Sequence, residues 1–325
     1  MNPPYTITKE ILKLCEDIFL MLGKYEGLAL PTPKPQLRKH TKIVTIHSSL
    51  AIEGNTLSVD QVTDIINNKK VVGPKKDILE VKNAIKAYDL LDKYEPESLE
   101  SLLNAHKVLM DGLVDNPGKL RKVNVGVGGE GKIIHMAPKF TMVPELMNNL
   151  FSFMKEEKDL TPLIKSSIFH YEFEFIHPFI DGNGRIGRLW QSVMLYNYRE
   201  IFAYIPIETI IRRRQMEYYE ALQESTKQGE STAFIKYMLE IIKEAALELT
   251  KKVRPSNQQT EIRLDLAKEH FKDKEFNRGD YLRIHNNISP TSATRDLAIA
   301  VEKEVLEKNG ELNKRKYKFI PETID

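Results

Sequence analysis

Between residues 176 and 188 the chain reads Ile176-His177-Pro178-Phe179-Ile180-Asp181-Gly182-Asn183-Gly184-Arg185-Ile186-Gly187-Arg188. His177 carries an imidazole whose ordinary pKa lies near neutrality, so it can accept a proton from an attacking hydroxyl. Arg185 and Arg188 stand three residues apart, side by side on a helix, and their planar guanidinium forks suit phosphate oxygens. Arginine at a helix N-terminus opposes the helix dipole, so the helix itself gives little reason to place two there. Asp181 beside the same site would repel phosphate unless a divalent cation lay between them, and Mg²⁺ is commonly held by one or two carboxylates plus substrate phosphates. The residue types together read as nucleotide phosphate, metal and general base.

The elements that must hold these groups follow from the flanking pattern. Ile164, Ile168, Tyr171 and Phe175 recur at helical spacing before the turn, and Pro178 is expected to end that helix. Gly182 and Gly184 permit a tight turn and close approach to a ligand, and Asn183 tolerates the left-handed conformation. From Asn183 onward, Ile186, Leu189, Trp190, Val193 and Met194 predict a second helix. Its first N–H groups, at Gly182, Asn183 and Gly184, would point at an anion. Two rival readings exist. Residues 182–187 also match G-x-G-x-x-G, the dinucleotide motif, with Glu200 near the expected acidic position, but helices flank both sides and no second strand follows. A glycine turn between two core helices, with solvated Asp and Arg, accounts for the same letters without chemistry.

His177 to Arg188 resembles the signature H-P-F-x-[D/E]-G-N-G-R-x-x-R of the Fic-domain family at every specified position. The resemblance covers about the first three quarters of the chain. It implies a mainly α fold, a Fido-type helical bundle with a β-hairpin flap, and transfer of AMP from ATP to a Tyr, Thr or Ser hydroxyl of a target protein. In that reading His177 is the base, Asp181 holds Mg²⁺, and Gly182, Asn183, Gly184, Arg185 and Arg188 bind the phosphates.

Ser49 and Glu53 lie one helical turn apart, and Gly54 resembles a C-terminal cap. Taken alone, Glu53 reads as a solvent-exposed residue before the cap. Ser49-x-x-x-Glu53-Gly54, however, is similar to the [S/T]-x-x-x-E-[G/N] inhibitory motif of Fic proteins, in which the glutamate pairs with the second signature arginine, here Arg188. The resemblance implies a repressed default state; in related proteins the same glutamate also activates water to remove AMP.

Residues 121–138 change character. Val123 to Val127 alternate, Gly128-Gly129-Glu130-Gly131 turn, and Lys132 to Met136 return, which predicts a β-hairpin. An isolated hairpin presents a strand edge, and the family's flap pairs there with the target and covers the nucleotide, which assigns Val127, Gly128, Gly129 and Glu130 to that cover. His135 and His106 read as structural. Tyr218-Tyr219-Glu220-Ala221-Leu222 resembles the family's Y-Y-x-x-L element on the adenine side, within a helix expected from 207 to 226; the following Lys227-Gln228-Gly229-Glu230 departs from the family pattern.

Four segments are expected: an N-terminal helix and extended connector (1–35), the inhibitory helix (36–56), a catalytic core (57–253), and, after a polar linker at 254–260, a winged helix-turn-helix (261–325). In the last, Thr291, Ser292, Thr294 and Arg295 would lead a recognition helix spanning 290–307, and Lys314, Arg315, Lys316 and Lys318 a wing. Asp296, Glu302, Glu304 and Glu307 fall in the same span, which leaves DNA contact and protein docking both open. A DNA-binding regulator that senses nucleotide is therefore the alternative function, and another nucleotide or a phosphocholine carrier the alternative donor. Homodimerisation is an expectation of the family.

The 325 residues, 41% hydrophobic and 29% charged with net charge +2, suit a globular chain and show no global bias toward nucleic acid or membrane. Cys15, the single cysteine, excludes an intrachain disulfide and sits in an apolar helical pattern. No leader and no bilayer-length apolar run are visible, so a cytoplasmic location without membrane partners is expected.

Overall fold

The computed structural model describes residues 2–27, 35–129, 132–252, 258–285, 288–310 and 315–320. The chain divides into two compact units, 1–252 and 253–325. The connector at 28–34 and most of the linker, 253–257, lie outside the described residues.

Among the described residues the first unit is helical apart from one hairpin. Its helices are α1 (Lys9–Gly27), α2 (Pro35–Ile52), α3 (Val59–Ile66), α4 (Lys75–Asp89), α5 (Leu99–Leu109), α6 (Val143–Glu156), α7 (Pro162–Ile176), α8 (Asn183–Tyr198), α9 (Ile207–Arg213), α10 (Gln215–Gln228) and α11 (Thr232–Lys252). Short 3₁₀ turns at Phe140–Met142 and Glu200–Tyr204 complete it. α7 runs through the centre, packed by α6, α8 and α11, and this accounts for apolar residues on nearly all its faces: Leu163, Ile164, Ile168, Phe169, Phe173 and Ile176 are all buried. Thr161 caps its start by accepting from the Ile164 N–H, with Pro162 next, where the missing N–H costs nothing. α8 lies against α7 and buries Ile186, Leu189, Trp190 and Val193 completely. α2 spans the bundle across α9 and α4. Cys15 is buried.

The helix expected from 207 to 226 is two helices, because the backbone leaves the α region at Arg214 (φ −111°, ψ 38°). At this break the exposed Arg213 pairs with Glu244 and Glu248, and the half-buried Arg214 with Glu217, Glu240 and Glu244.

The hairpin pairs β1 (Gly126–Gly129) antiparallel to β2 (Lys132–Met136), with Gly126 opposite Met136 and an irregularity between Val127 and Gly128. β1 starts later than the alternation from Val123 suggests. Glu130, one of the expected cover residues, lies outside the described residues, and Val127, Gly128 and Gly129 are described only as backbone of β1.

The second unit contains α12 (Gln258–Phe271), α13 (Arg278–Ile284), α14 (Pro290–Glu302), β3 (Leu306–Asn309) and β4 (Lys316–Phe319), the strands pairing antiparallel. Leu264, Phe276, Tyr281, Leu297, Leu306 and Phe319 are among the residues of its own core. Three sequence expectations are corrected here. The linker's last residues are helical, since α12 starts at Gln258 and Thr260 is buried against Asp296. α14 stops at Glu302: Glu304 has a positive φ of 55°, and Glu307 belongs to β3. Asp296 faces inward, fully buried, and takes two bonds from Arg263. Lys314 of the expected wing lies outside the described residues.

Candidate active site

The turn between α7 and α8 is held by groups on four separate elements. α7 ends at Ile176, two residues before Pro178, with His177 as cap in the left-handed conformation (φ 50°, ψ 62°). That conformation is costly for a residue with a Cβ and persists only when surroundings impose it. Arg121, 3% exposed, imposes it. Its Nε donates to the His177 carbonyl at 2.8 Å and Nη2 to those of Ile176 (3.3 Å) and Pro138, while Nη1 reaches Val123 at 2.8 Å. The Arg121 N–H also donates to the Pro178 carbonyl at 2.9 Å. One guanidinium thus ties both ends of the flap to the backbone around His177.

Below the turn, His106 of α5 stacks on Phe179 at 3.6 Å between ring centroids. Its Nδ1 accepts from the Gly118 N–H (2.8 Å), so Nε2 carries the hydrogen and donates to the Asp181 carbonyl (3.0 Å). Burial pushes the imidazole pKa down to about 4, so His106 is a neutral strut at physiological pH, which agrees with its structural reading. Asn183 completes the turn by bonding both the N–H and the carbonyl of Phe179, at 2.9 and 3.0 Å. Its side chain shapes the loop; its backbone opens α8. Gly182 caps α8 at φ 87°, and its N–H is taken by Asp181 Oδ1 at 2.6 Å.

Both signature arginines are buried and paired. Arg188 Nε donates to Ser49 Oγ (3.1 Å), and Nη2 donates to the Ser49 carbonyl (2.9 Å) and Glu53 Oε1 (2.8 Å). A Cβ at Gly184 would collide with that same Glu53 oxygen. The carboxylate of Glu53 therefore rests against the first turn of α8, where free N–H groups and the helix dipole favour an anion. Glu53 is exposed as its local sequence alone suggests, yet it is more than a residue ahead of a cap: its side chain is 30% exposed and its carboxylate is bound by Arg188. Arg185 Nη1 donates to Glu80 Oε1 (2.9 Å) and Nη2 to Asp181 Oδ1 (2.7 Å).

The tyrosine pair splits. Tyr218 is buried between His170, Phe234 and Tyr237, with its Oη 3.1 Å from His170 Nε2, and so presents no face to a ligand in this structure. Tyr219 is 40% exposed, and Gln215 Nε2 bridges its Oη to the Ile52 carbonyl, beside Glu53. Behind Arg188 lies a polar cluster that no local pattern signals. His170 Nδ1 meets Gln191 Oε1 at 2.7 Å, burial drives its pKa to about 3, and Glu174 stands 3.9 Å from its Nε2. Burial raises the Glu174 carboxyl to about 8, against the pull of Arg188 and with a push from Glu53, so it is protonated at neutral pH. Among the described residues no three His, Cys, Asp or Glu side chains gather as a metal site.

A helical bundle whose α7–α8 turn sets a left-handed histidine before a helix start bearing two buried arginines defines the class. A model of the Fic/DOC family matches residues 96–195. The solved Fic family protein from Desulfovibrio desulfuricans G20 is 36% identical and covers 100% of both chains, with a TM-score of 0.75. The chain belongs to the Fic family. Among curated relatives, protein adenylyltransferase fic-1 of Caenorhabditis elegans is 27% identical over 70% of this chain and 44% of its own length. Protein adenylyltransferase Fic of Culex quinquefasciatus is 29% identical over 65% and 42%. The chain spans less than half the length of these curated relatives. No helix among the described residues is long and apolar enough to cross a membrane.

Proposed function

We propose that this protein is an adenylyltransferase that moves AMP from ATP to a hydroxyl side chain of a target protein, and that it rests in an autoinhibited state. The observation that carries this reading is the pairing of Glu53 with Arg188 at the open first turn of α8, an anion already seated where a phosphate would go. His177, half-buried at the end of α7, takes the proton of the target hydroxyl; the oxygen attacks the α-phosphorus, and pyrophosphate leaves with its electron pair. The N–H groups of Asn183 and Gly184 and the two arginines stabilise the phosphate charge. Asp181, with a side chain 48% exposed beside the cradle, fits a metal that phosphates chiefly ligate. Bound there, Mg²⁺ would neutralise charge on the phosphates; Asp181 holds it only after giving up Arg185. The names of the curated relatives, protein adenylyltransferases, support the reaction class. Incubating Glu53→Ala with ATP labelled at the α or the γ phosphate tests it: α label alone should enter protein. Incorporation of the γ label instead would make it a kinase.

A second reading concerns the C-terminal unit, which we take as a winged helix that contacts duplex DNA. The exposed face of α14 carries Pro290, Thr291, Thr294 and Arg295 with no acid before Glu302, since Asp296 turns inward. Arg278 bonds Thr294 beside it, and Lys308 and Arg315 extend the cationic surface. Fluorescence anisotropy with a labelled duplex should give binding that weakens with salt and with Arg295→Ala; binding of neither kind would leave this unit a protein-docking module.

A further inference from the structure

The partners of Arg185 differ in a way that assigns a role to a residue outside the signature. Arg185 is 5% exposed and held between two carboxylates. Glu80, on α4, is 7% exposed at the side chain, whereas Asp181 is 48% exposed. An incoming phosphate can reach the Asp181 side of the guanidinium but not the Glu80 side. Glu80 is also tied to the segment that follows Glu53: its Oε2 accepts from Asn55 Nδ2 at 2.8 Å, and Asn55 Nδ2 reaches the Asp77 carbonyl at 3.1 Å. Thr56 fastens the same segment to α4 through Asp77 Oδ2, at 2.8 Å from its N–H and 2.6 Å from its Oγ1.

We propose that Glu80 is a positioning residue for nucleotide binding: it anchors Arg185 permanently from the protein side, leaves Asp181 as the partner that yields to a phosphate, and links Arg185 through Asn55 to the segment bearing Glu53. A buried ion pair adds little net stability, and without Glu80 Arg185 would keep Asp181 but lose its fixed orientation, so the pair's value here is geometric. A lysine or arginine free to choose among rotamers would have to be ordered by the nucleotide; an arginine already fixed on Glu80 is not, and binding is tighter by that difference. Asn55, two positions after Glu53, thus bonds the carboxylate that holds Arg185.

This inference rests on the phosphate-binding half of the proposed function, and a binding cycle separates the two. Calorimetry with α,β-methylene ATP and Mg²⁺ is run on Glu53→Ala alone, with Glu80→Ala, with Arg185→Ala, and with both. Interacting residues give non-additive effects, so Glu80→Ala should weaken binding about fivefold when Arg185 is present and less than about twofold when it is absent. Glu80→Gln, which keeps an acceptor oxygen, should recover most of the affinity. If the alanine variant does not fold, Glu80→Asp, which retains the charge and withdraws the carboxylate by one methylene, carries the same cycle. Equal losses in both Arg185 backgrounds, or no loss in either, would overturn the proposal, as a purely structural role gives the first. Failure of AMP transfer with the cycle intact would fault the transferase reading alone, and no binding to Glu53→Ala would overturn both.

Discussion

Replacing Glu53 by alanine should make the protein less stable without nucleotide and more responsive to it. The substitution deletes a 2.8 Å charge-assisted bond whose donor, on Arg188, is 1% exposed and whose acceptor side chain is 30% exposed. Breaking a fully buried pair costs about 3–5 kcal/mol, and hydrogen bonds to charged groups contribute roughly 1.5–3. Water reaches Glu53, and Ser49 retains two bonds to Arg188, so the lower range applies, about 2 kcal/mol. In a unit of 252 residues this is a fall in Tm of roughly 4–8 °C. The vacated cradle then admits nucleotide, and ligand at a hundredfold excess over Kd stabilises by about 2.7 kcal/mol, more than the loss. Differential scanning fluorimetry of wild type and Glu53→Ala, with Mg²⁺ and rising α,β-methylene ATP, reads both quantities. The melting curves should cross in order as ligand is added. A variant as stable as wild type, with the same ligand shift, would refute the view that Glu53 is both the stabilising partner of Arg188 and the occupant of the nucleotide's place.

Other expectations follow from the same geometry. Glu174 has its folded pKa raised from 4.5 to about 8, so its contribution to stability is fully present below about 4.5 and lost as pH rises through about 8. Tm should accordingly fall as pH rises from about 5 to about 8 and level off above that, and Glu174→Gln should flatten that slope; an unchanged slope in the variant would assign it elsewhere. Arg121→Ala removes the bonds that hold His177 and the flap, and should lower AMP transfer by about tenfold or more, in line with the cost of small misplacements of reacting groups, with Arg121→Lys no better because an ammonium cannot span the same carbonyls. Gly184→Ala places a methyl on the Glu53 oxygen. It should expel Glu53 yet fail to bind the ATP analogue by calorimetry, since the methyl fills the spot a phosphate needs.

What the sequence discloses and what it hides divides by distance along the chain. His177 to Arg188 is contiguous, so its letters carry the turn, both helices and the chemistry together. Glu53 is 135 residues from Arg188, and its local context argues for a solvated side chain; only resemblance to a family motif pointed at the pairing. Arg121, Glu80 and Glu174 gave no signal, because each acts on backbone or charge supplied by residues distant in sequence or buried around it: 56 residues separate Arg121 from His177, and 105 separate Glu80 from Arg185. In the C-terminal unit, Asp296 looked like an acid on a reading face. Its helical phase relative to Leu297 and Ala300 in the core decides otherwise, and a one-turn error in the end of α14 had moved Glu304 and Glu307 onto the same helix.

The most direct test of the account compares α-labelled AMP incorporation, into the protein itself and into lysate proteins, by wild type, Glu53→Ala and Glu53→Ala/His177→Ala with Mg²⁺. Release of Arg188 with His177 intact should give strong labelling in Glu53→Ala only. Equal labelling by wild type and Glu53→Ala, or labelling that survives the loss of His177, would contradict it.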